Sequence, residues 1–251
     1  MHASGDFGLF EPFVVTYPSA SYALRGYLLL PIGQGPFPAV IFQHGSAGLL
    51  PSNKQGIEAL RRMGYAVFVA LRRGHNGNPG PHWLSLVSSP WGSPEMGGEL
   101  VNALNGETDD VLASLDWLCA QPQIDPDRIA LAGSSFGGVV TILAAGRTSQ
   151  FRAGISFAGP SQTWPHASAL QEAMIASVQK TPLPFFLLQA QNDHSLLPTY
   201  MLGAEFARLN KPHETRIYPA LGTTPMEGHG IFGGGVAWWY ADVERFLAQW
   251  L

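Results

Sequence analysis

The sequence predicts an α/β fold: a mostly parallel sheet of about eight strands, helices on both faces, and an antiparallel hairpin at the start. Three observations carry the prediction. Runs that are apolar on both faces, such as Ala39-Val40-Ile41-Phe42-Gln43 and the stretch from Tyr65 to Leu71, are what central parallel strands require. From residue 39 onward such runs alternate with helix-like segments, which implies a sheet covered on both sides. Gly133-Ser134-Ser135-Phe136-Gly137-Gly138 lies between an apolar strand-like run (128–132) and an apolar helix-like run (139–145), a strand–turn–helix that presents a serine at the edge of a sheet.

The elements follow in order. Residues 13–17 and 22–30 are β-rich and separated by Pro18-Ser19-Ala20-Ser21, which reads as a hairpin. The strand at 39–43 runs into His44-Gly45-Ser46-Ala47-Gly48; a helix is expected over 53–63, stopped by Gly64. Residues 72–106 are rich in Gly and Pro and read as a long loop, with Trp83 and Trp91 in it. Thr108 is the expected cap of a helix over 109–120, whose apolar set Val111, Leu112, Leu115 and Leu118 has helical spacing. Strands are expected at 151–158, 184–190 and 214–218. Helices are expected at about 167–178, 199–209 and 236–251, with a glycine-rich loop over 220–235. No compositional break or repeat divides the chain, so residues 1–251 read as one domain with insertions at about 72–106 and 159–181.

Composition narrows the function. The chain is 46% apolar and 13% charged with net charge −4, which gives no attraction to nucleic acid or an anionic membrane. No apolar run approaches the roughly 18 residues of a membrane span. Cys119 is the single cysteine, so no internal disulfide forms, which fits a reducing compartment. Residues Met1 to Phe10 lack a basic stretch followed by an apolar one, so a cytoplasmic location is expected, with secretion after removal of a signal as the alternative.

Ser135 needs a base and a carboxylate that orients it, because an alcohol is a poor nucleophile near neutral pH. In a parallel sheet these come from loops at the C-terminal ends of later strands. The strand ending at Ala190 leads into Gln191-Asn192-Asp193-His194, and the one ending at Tyr218 leads into the loop containing Glu227-Gly228-His229-Gly230. The order Ser135, Asp193, His229 therefore reads as nucleophile, acid and base. His194 is the rival base and Glu227 the rival acid. For the oxyanion, one N–H donor is expected from Phe136 and a second from Ser46, with Ala47 next in line. His44 reads as a structural support of that loop, and Arg73 as an anchor of the insertion. Trp164, Trp83, Trp91 and Ala47 are the expected pocket walls. The chemistry calls for no metal and no organic cofactor.

His44-Gly45-x-x-Gly48, Arg72-Arg73-Gly74-His75, Asp109-Asp110-Val111 through Leu118, Ile124-Asp125-Pro126-Asp127-Arg128-Ile129, the serine turn and Gly228-His229 together resemble the dienelactone hydrolase-like α/β-hydrolases. They are also similar to the catalytic domain of prolyl oligopeptidase-type enzymes. The resemblance runs from about residue 38 to 251 and implies the α/β-hydrolase fold and a serine triad. Dienelactone hydrolases proper use a cysteine where this chain has Ser135, and Cys119 lies too far back to replace it. Haloalkane dehalogenases need Asp at that turn. Oligopeptidases carry a large N-terminal propeller, for which 251 residues leave no room. The expectation is a compact serine esterase acting on small, short-chain carboxylic esters, as monomer or homodimer. A small peptidase or amidase is the alternative reaction, and a non-catalytic hydrolase fold kept for binding is the alternative class.

Overall fold

A computed structural model describes residues 12–251; the Met1 to Phe10 stretch read for a leader lies outside the described residues. Eight strands form one sheet in the order β1-β2-β4-β3-β5-β6-β7-β8. They are β1 (Phe13–Ser19), β2 (Tyr22–Leu29), β3 (Phe37–Gln43), β4 (Ala66–Ala70), β5 (Ile124–Ser134), β6 (Gly154–Phe157), β7 (Phe185–Ala190) and β8 (His213–Tyr218). The pairs β1–β2 and β2–β4 are antiparallel, and all others are parallel. The expected hairpin and parallel body are both present.

Among the described residues eight α-helices surround the sheet: α1 (Lys54–Arg62), α2 (Pro94–Cys119), α3 (Phe136–Ala145), α4 (Ser168–Lys180), α5 (Leu197–Arg208), α6 (Pro225–His229), α7 (Ile231–Gly234) and α8 (Val236–Trp250). Successive side chains on a strand point to opposite faces. Ile41, Phe68 and Leu131 therefore pack with α2, α3, α4 and α5, through Leu104, Val139, Met174 and Phe206. Val40, Phe42, Val67 and Ala130 pack on the other face against Ile57 and Leu60 of α1 and Trp239 and Val243 of α8. All four residues expected on the buried face of the last helix, Trp239, Val243, Phe246 and Leu247, are buried.

Two expectations are corrected. The helix expected over 109–120 begins at Pro94, where Ser93 Oγ accepts from the Met96 N–H at 3.2 Å. Thr108 is no cap: it is buried in mid-helix and its hydroxyl donates back to the Leu104 carbonyl. The 72–106 segment is thus partly helix, and its remainder holds a 3-10 turn at Trp83–Leu86. The glycine-rich 220–235 stretch also folds, into α6 and α7. A capping box starts α6, with Thr224 Oγ1 accepting from the Glu227 N–H and the Glu227 carboxylate accepting from the Thr224 N–H.

The chain leaves β3 for β4 on one side and then crosses to β5 on the other. The strand order reverses at β3, which sets the loops from the C-terminal ends of β3 and β5 side by side, the point at which such sheets bind ligands.

Candidate active site

Ser135 sits between β5 and α3 with φ 57° and ψ −123°, a conformation that L residues rarely adopt. Three backbone bonds hold it there. Its N–H donates to Phe157 O at 2.9 Å, and its carbonyl accepts from the Gly138 and Val139 N–H groups. The surrounding turn has no space for side chains. A Cβ on Gly133 would lie 2.1 Å from Gly137 O, and one on Gly137 would lie 2.0 Å from Gln43 O. These glycines are therefore required by close backbone approach.

The structure brings the three expected residues together. Ser135 Oγ lies 2.8 Å from His229 Nε2, and His229 Nδ1 lies 2.9 Å from Asp193 Oδ1. A carboxylate only accepts, so Nδ1 carries the proton and Nε2 offers a lone pair to the Ser135 hydroxyl. His229 ends α6, and Asp193 lies in the turn after β7, where its own N–H bonds Ala190 O. The Asp193 side chain is fully buried. Burial alone would raise its carboxyl, but bonds from His229, Ser161 and Gln189 outweigh that and hold it below the usual range.

Both rivals are engaged elsewhere. The Glu227 carboxylate caps α6 through Thr223 and Thr224. The exposed His194 contacts Gln162 through Nε2 and stands edge-on to the His229 ring with centroids 5.6 Å apart, while its backbone N–H donates to Asp193 Oδ1. It is a neighbour of the acid, as its position in the sequence implies.

Two backbone segments flank Ser135, the start of α3 and the turn after β3. Phe136 is the first residue of α3, so its N–H has no intrahelical acceptor, and the helix dipole adds positive potential there. After β3, Gly48 N–H bonds Gly45 O at 3.2 Å, closing a turn with Ser46 and Ala47 at its centre. A Cβ on Gly45 would lie 3.4 Å from Ser135 Cβ, so this turn runs alongside the serine.

The carbonyls of the turn are tied to one side. Arg72 Nη2 donates to His44 O at 2.9 Å and Gly45 O at 3.3 Å, and Trp83 Nε1 donates to Ser46 O at 3.0 Å. In a trans peptide the C=O and the following N–H point opposite ways, so these bonds turn the Ser46 and Ala47 N–H groups to the other side. Arg72 is wholly buried and paired with Glu107 of α2 at 2.6 Å, and His75 reaches the same carboxylate at 2.9 Å. Burial, and then the Arg72 charge, keep His44 well below the usual imidazole range, so it stays neutral. Its Nδ1 lies 2.8 Å from Gly45 O, which is the expected structural role. Arg73 binds Asp110 through both oxygens and anchors the insertion, also as expected.

The pocket expectations divide. Trp83 is half-buried and stands edge-on to Phe136, ring centroids 5.0 Å apart. Ala47 is exposed on the turn beside Ser135. Trp91 is 54% exposed and contacts His166 rather than any of the three central residues. Trp164 is a correction: only 1% exposed, it is packed in the core with Met96, Leu100 and Leu170, closed off from anything that enters from solvent. Its place after the C-terminal end of β6 put it near the site in sequence, but its ring turns into the helical layer. Sequence reading missed Ser161, Gln189 and Glu107, which belong to no spacing motif, and it took Arg72 only as part of the Arg72-Arg73-Gly74-His75 motif without its bonds to Glu107 and to the turn after β3. Among the described residues no three His, Cys, Asp or Glu side chains gather as metal ligands, and no helix is long and apolar enough to cross a membrane.

A family model described as the prolyl oligopeptidase family matches residues 51–174. The uncharacterized peptidase YuxL of Bacillus subtilis is 27% identical over 144 residues, which is 53% of this chain and 19% of that protein. The acylaminoacyl peptidase of Pyrococcus horikoshii superposes with a TM-score of 0.74 at 20% identity, over 96% of this chain and 42% of that one. The Pyrococcus furiosus esterase Pf2001 superposes with a TM-score of 0.73 at 17% identity, over 100% of this chain and 94% of that one. The chain thus spans about a fifth of YuxL and two fifths of the acylaminoacyl peptidase. At these identities the structural likenesses establish the α/β-hydrolase fold.

Proposed function

We propose that this serine hydrolase of the prolyl oligopeptidase type cleaves small, short-chain carboxylic esters through an acyl-enzyme on Ser135. The observation that carries the reading is the unbroken line Ser135 Oγ–His229 Nε2 and His229 Nδ1–Asp193, at 2.8 and 2.9 Å. His229 Nε2 takes the hydroxyl proton as Ser135 Oγ attacks the ester carbonyl carbon. The oxyanion so formed is held by the Phe136 and Ser46 N–H groups, with Ala47 as the alternative second donor. Asp193 stabilises the imidazolium. The carbon–alkoxy bond then breaks, and His229 returns the proton to the departing alkoxide. Water gives a proton to His229, attacks the acyl carbon, and Ser135 leaves with the proton restored.

Support for an ester substrate comes from the rim. Trp83 against Phe136, with exposed Leu84 and Leu86 following it in the chain, offers apolar surface to an acyl or alkyl group. The likeness to the Pf2001 esterase, which runs over 94% of that chain, points the same way. The second reading is a peptidase or amidase, favoured by the prolyl oligopeptidase family match and by the likeness to an acylaminoacyl peptidase. The small-molecule ester is the only partner the proposal includes, and the protein acts as monomer or homodimer.

Turnover of p-nitrophenyl esters from acetate to palmitate, set beside an aminoacyl p-nitroanilide, tests the assignment. The expected result is hydrolysis of acetate and butyrate, weak action on long chains and slower anilide turnover. An anilide rate above the acetate rate supports the peptidase, and an optimum at long chains refutes the short-chain preference. Ser135→Ala abolishes all of these activities if the nucleophile is correct.

A further inference from the structure

We propose that Ser161 is a positioning residue that fixes the proton on Nδ1 of His229 and holds the ring against rotation; this rests on the triad reading above. Ser161 lies in the turn after β6 and is 1% exposed. The backbone around it is tied down. Ser161 N–H donates to Ala158 O, and the Thr163 and Trp164 N–H groups both donate to Pro160 O.

Its hydroxyl touches two members of the central line at once. Ser161 Oγ is 2.6 Å from Asp193 Oδ1 and 3.0 Å from His229 Nδ1. A hydroxyl has one proton to give, and the shorter contact, to a carboxylate, is the stronger bond. With that proton committed to Asp193, only lone pairs face Nδ1. The Nδ1–H is therefore shared between Asp193 Oδ1 and Ser161 Oγ, and a ring proton on Nε2 instead would leave two acceptors facing each other. Nε2 is thereby kept unprotonated 2.8 Å from Ser135 Oγ. A second acceptor set to one side of the Asp193 bond also resists rotation of the imidazole about its own axis.

Asp193 has further support that does not depend on Ser161. Gln189 Nε2 donates to Oδ2 at 2.8 Å, and the His194 N–H donates to Oδ1 at 2.7 Å. Loss of the Ser161 hydroxyl thus leaves the carboxylate held and removes the second contact to the imidazole. The effect belongs to the chemical steps and not to substrate binding.

The test compares Ser161→Ala, Ser161→Thr and Ser135→Ala with the parent on p-nitrophenyl acetate, alongside the low-field proton NMR signal of the His229 Nδ1–H. Losing one bond at a charged centre corresponds to about a tenfold fall in kcat for Ser161→Ala, with KM within about twofold of the parent. The threonine variant, which keeps the hydroxyl, recovers most of the rate, and the low-field signal moves in the alanine variant and returns in the threonine one. If Ser161→Ala does not fold, Ser161→Cys replaces it, because a thiol keeps the volume but bonds weakly, and the same criteria apply. A folded variant with parent kcat, or with an unmoved signal, overturns the proposal. If Ser135→Ala is inactive while Ser161→Ala matches the parent, only this inference fails. If Ser135→Ala keeps the parent rate, the triad reading fails with it.

Discussion

Replacing Glu107 by Gln removes one charge of a buried pair and leaves the other. Arg72 has no exposed surface, and among the described residues Glu107 is its one anionic partner, at 2.6 Å; its other acceptors there are neutral, namely Gln43 Oε1, His44 O and Gly45 O. A guanidinium left uncompensated in the interior costs about 3 kcal/mol or more. For a chain of this size that corresponds to a fall of about 6 °C in Tm.

The loss also has a signature in pH. Burial raises the Glu107 carboxyl, but Arg72 and His75 outweigh it and hold the group below the usual range. The unfolded chain therefore binds the proton more readily, and the contribution is present above the unfolded value and lost as pH falls through the folded one. The Tm gap between parent and Glu107→Gln is full at pH 7 and narrows below about pH 4. Thermal melts at several pH values measure this, and p-nitrophenyl acetate turnover should fall as Arg72 loosens from the His44 and Gly45 carbonyls. A variant melting within about 1 °C of the parent at pH 7, equivalent to about 0.5 kcal/mol, would refute the reasoning.

Three further outcomes follow from the same geometry. Trp83→Phe removes the bond to Ser46 O and should lower kcat about fivefold with little change in KM, the worth of one neutral hydrogen bond; unchanged kcat would detach Trp83 from the oxyanion turn. Trp164→Ala should cost about 3 kcal/mol or more in thermal or urea unfolding while leaving KM for small esters alone, because the ring is core; a shifted KM with parent stability would put it back in the pocket. Gly137→Ala should yield no soluble protein, since its Cβ would meet Gln43 O at 2.0 Å, and recovery of a folded, active variant would contradict the packing of the serine turn.

The parts of the fold that the sequence makes legible are those set by local periodicity and strand–helix alternation. The hairpin, the five parallel strands from β3 onward that are apolar on both faces, and the buried stripe of α8 all carry such signals. The parts that escaped it are helices written with glycine. Gly97 and Gly98 at the start of α2 read as loop, yet a Cβ on Gly97 would lie 3.4 Å from Ala169 Cβ. The small residue marks where α2 approaches α4. In α7, a Cβ on Gly233 would lie 1.9 Å from Ser52 O, so that glycine also serves contact.

The central residues of the site were legible because each ends a strand-plus-loop unit whose order along the chain is constrained by the sheet. Their supports were not. Ser161 and Gln189 reach Asp193 through tertiary placement alone, and the pair Arg72–Glu107 joins residues 35 positions apart. Trp164 shows the opposite failure. An aromatic beside the catalytic face in sequence was given to the pocket, whereas the helical layer of α2 and α4 had more apolar surface to bury it against.

Treatment of the parent protein and Ser135→Ala with a fluorophosphonate probe, followed by peptide mass spectrometry, tests the central claim most directly. The probe reacts with a serine only where a base takes its proton and donors hold the negative oxygen. The account predicts one adduct, on the peptide containing Ser135, formed in step with loss of esterase activity and absent from the alanine variant. A parent protein that stays unlabelled, or an adduct that persists in Ser135→Ala, would contradict it.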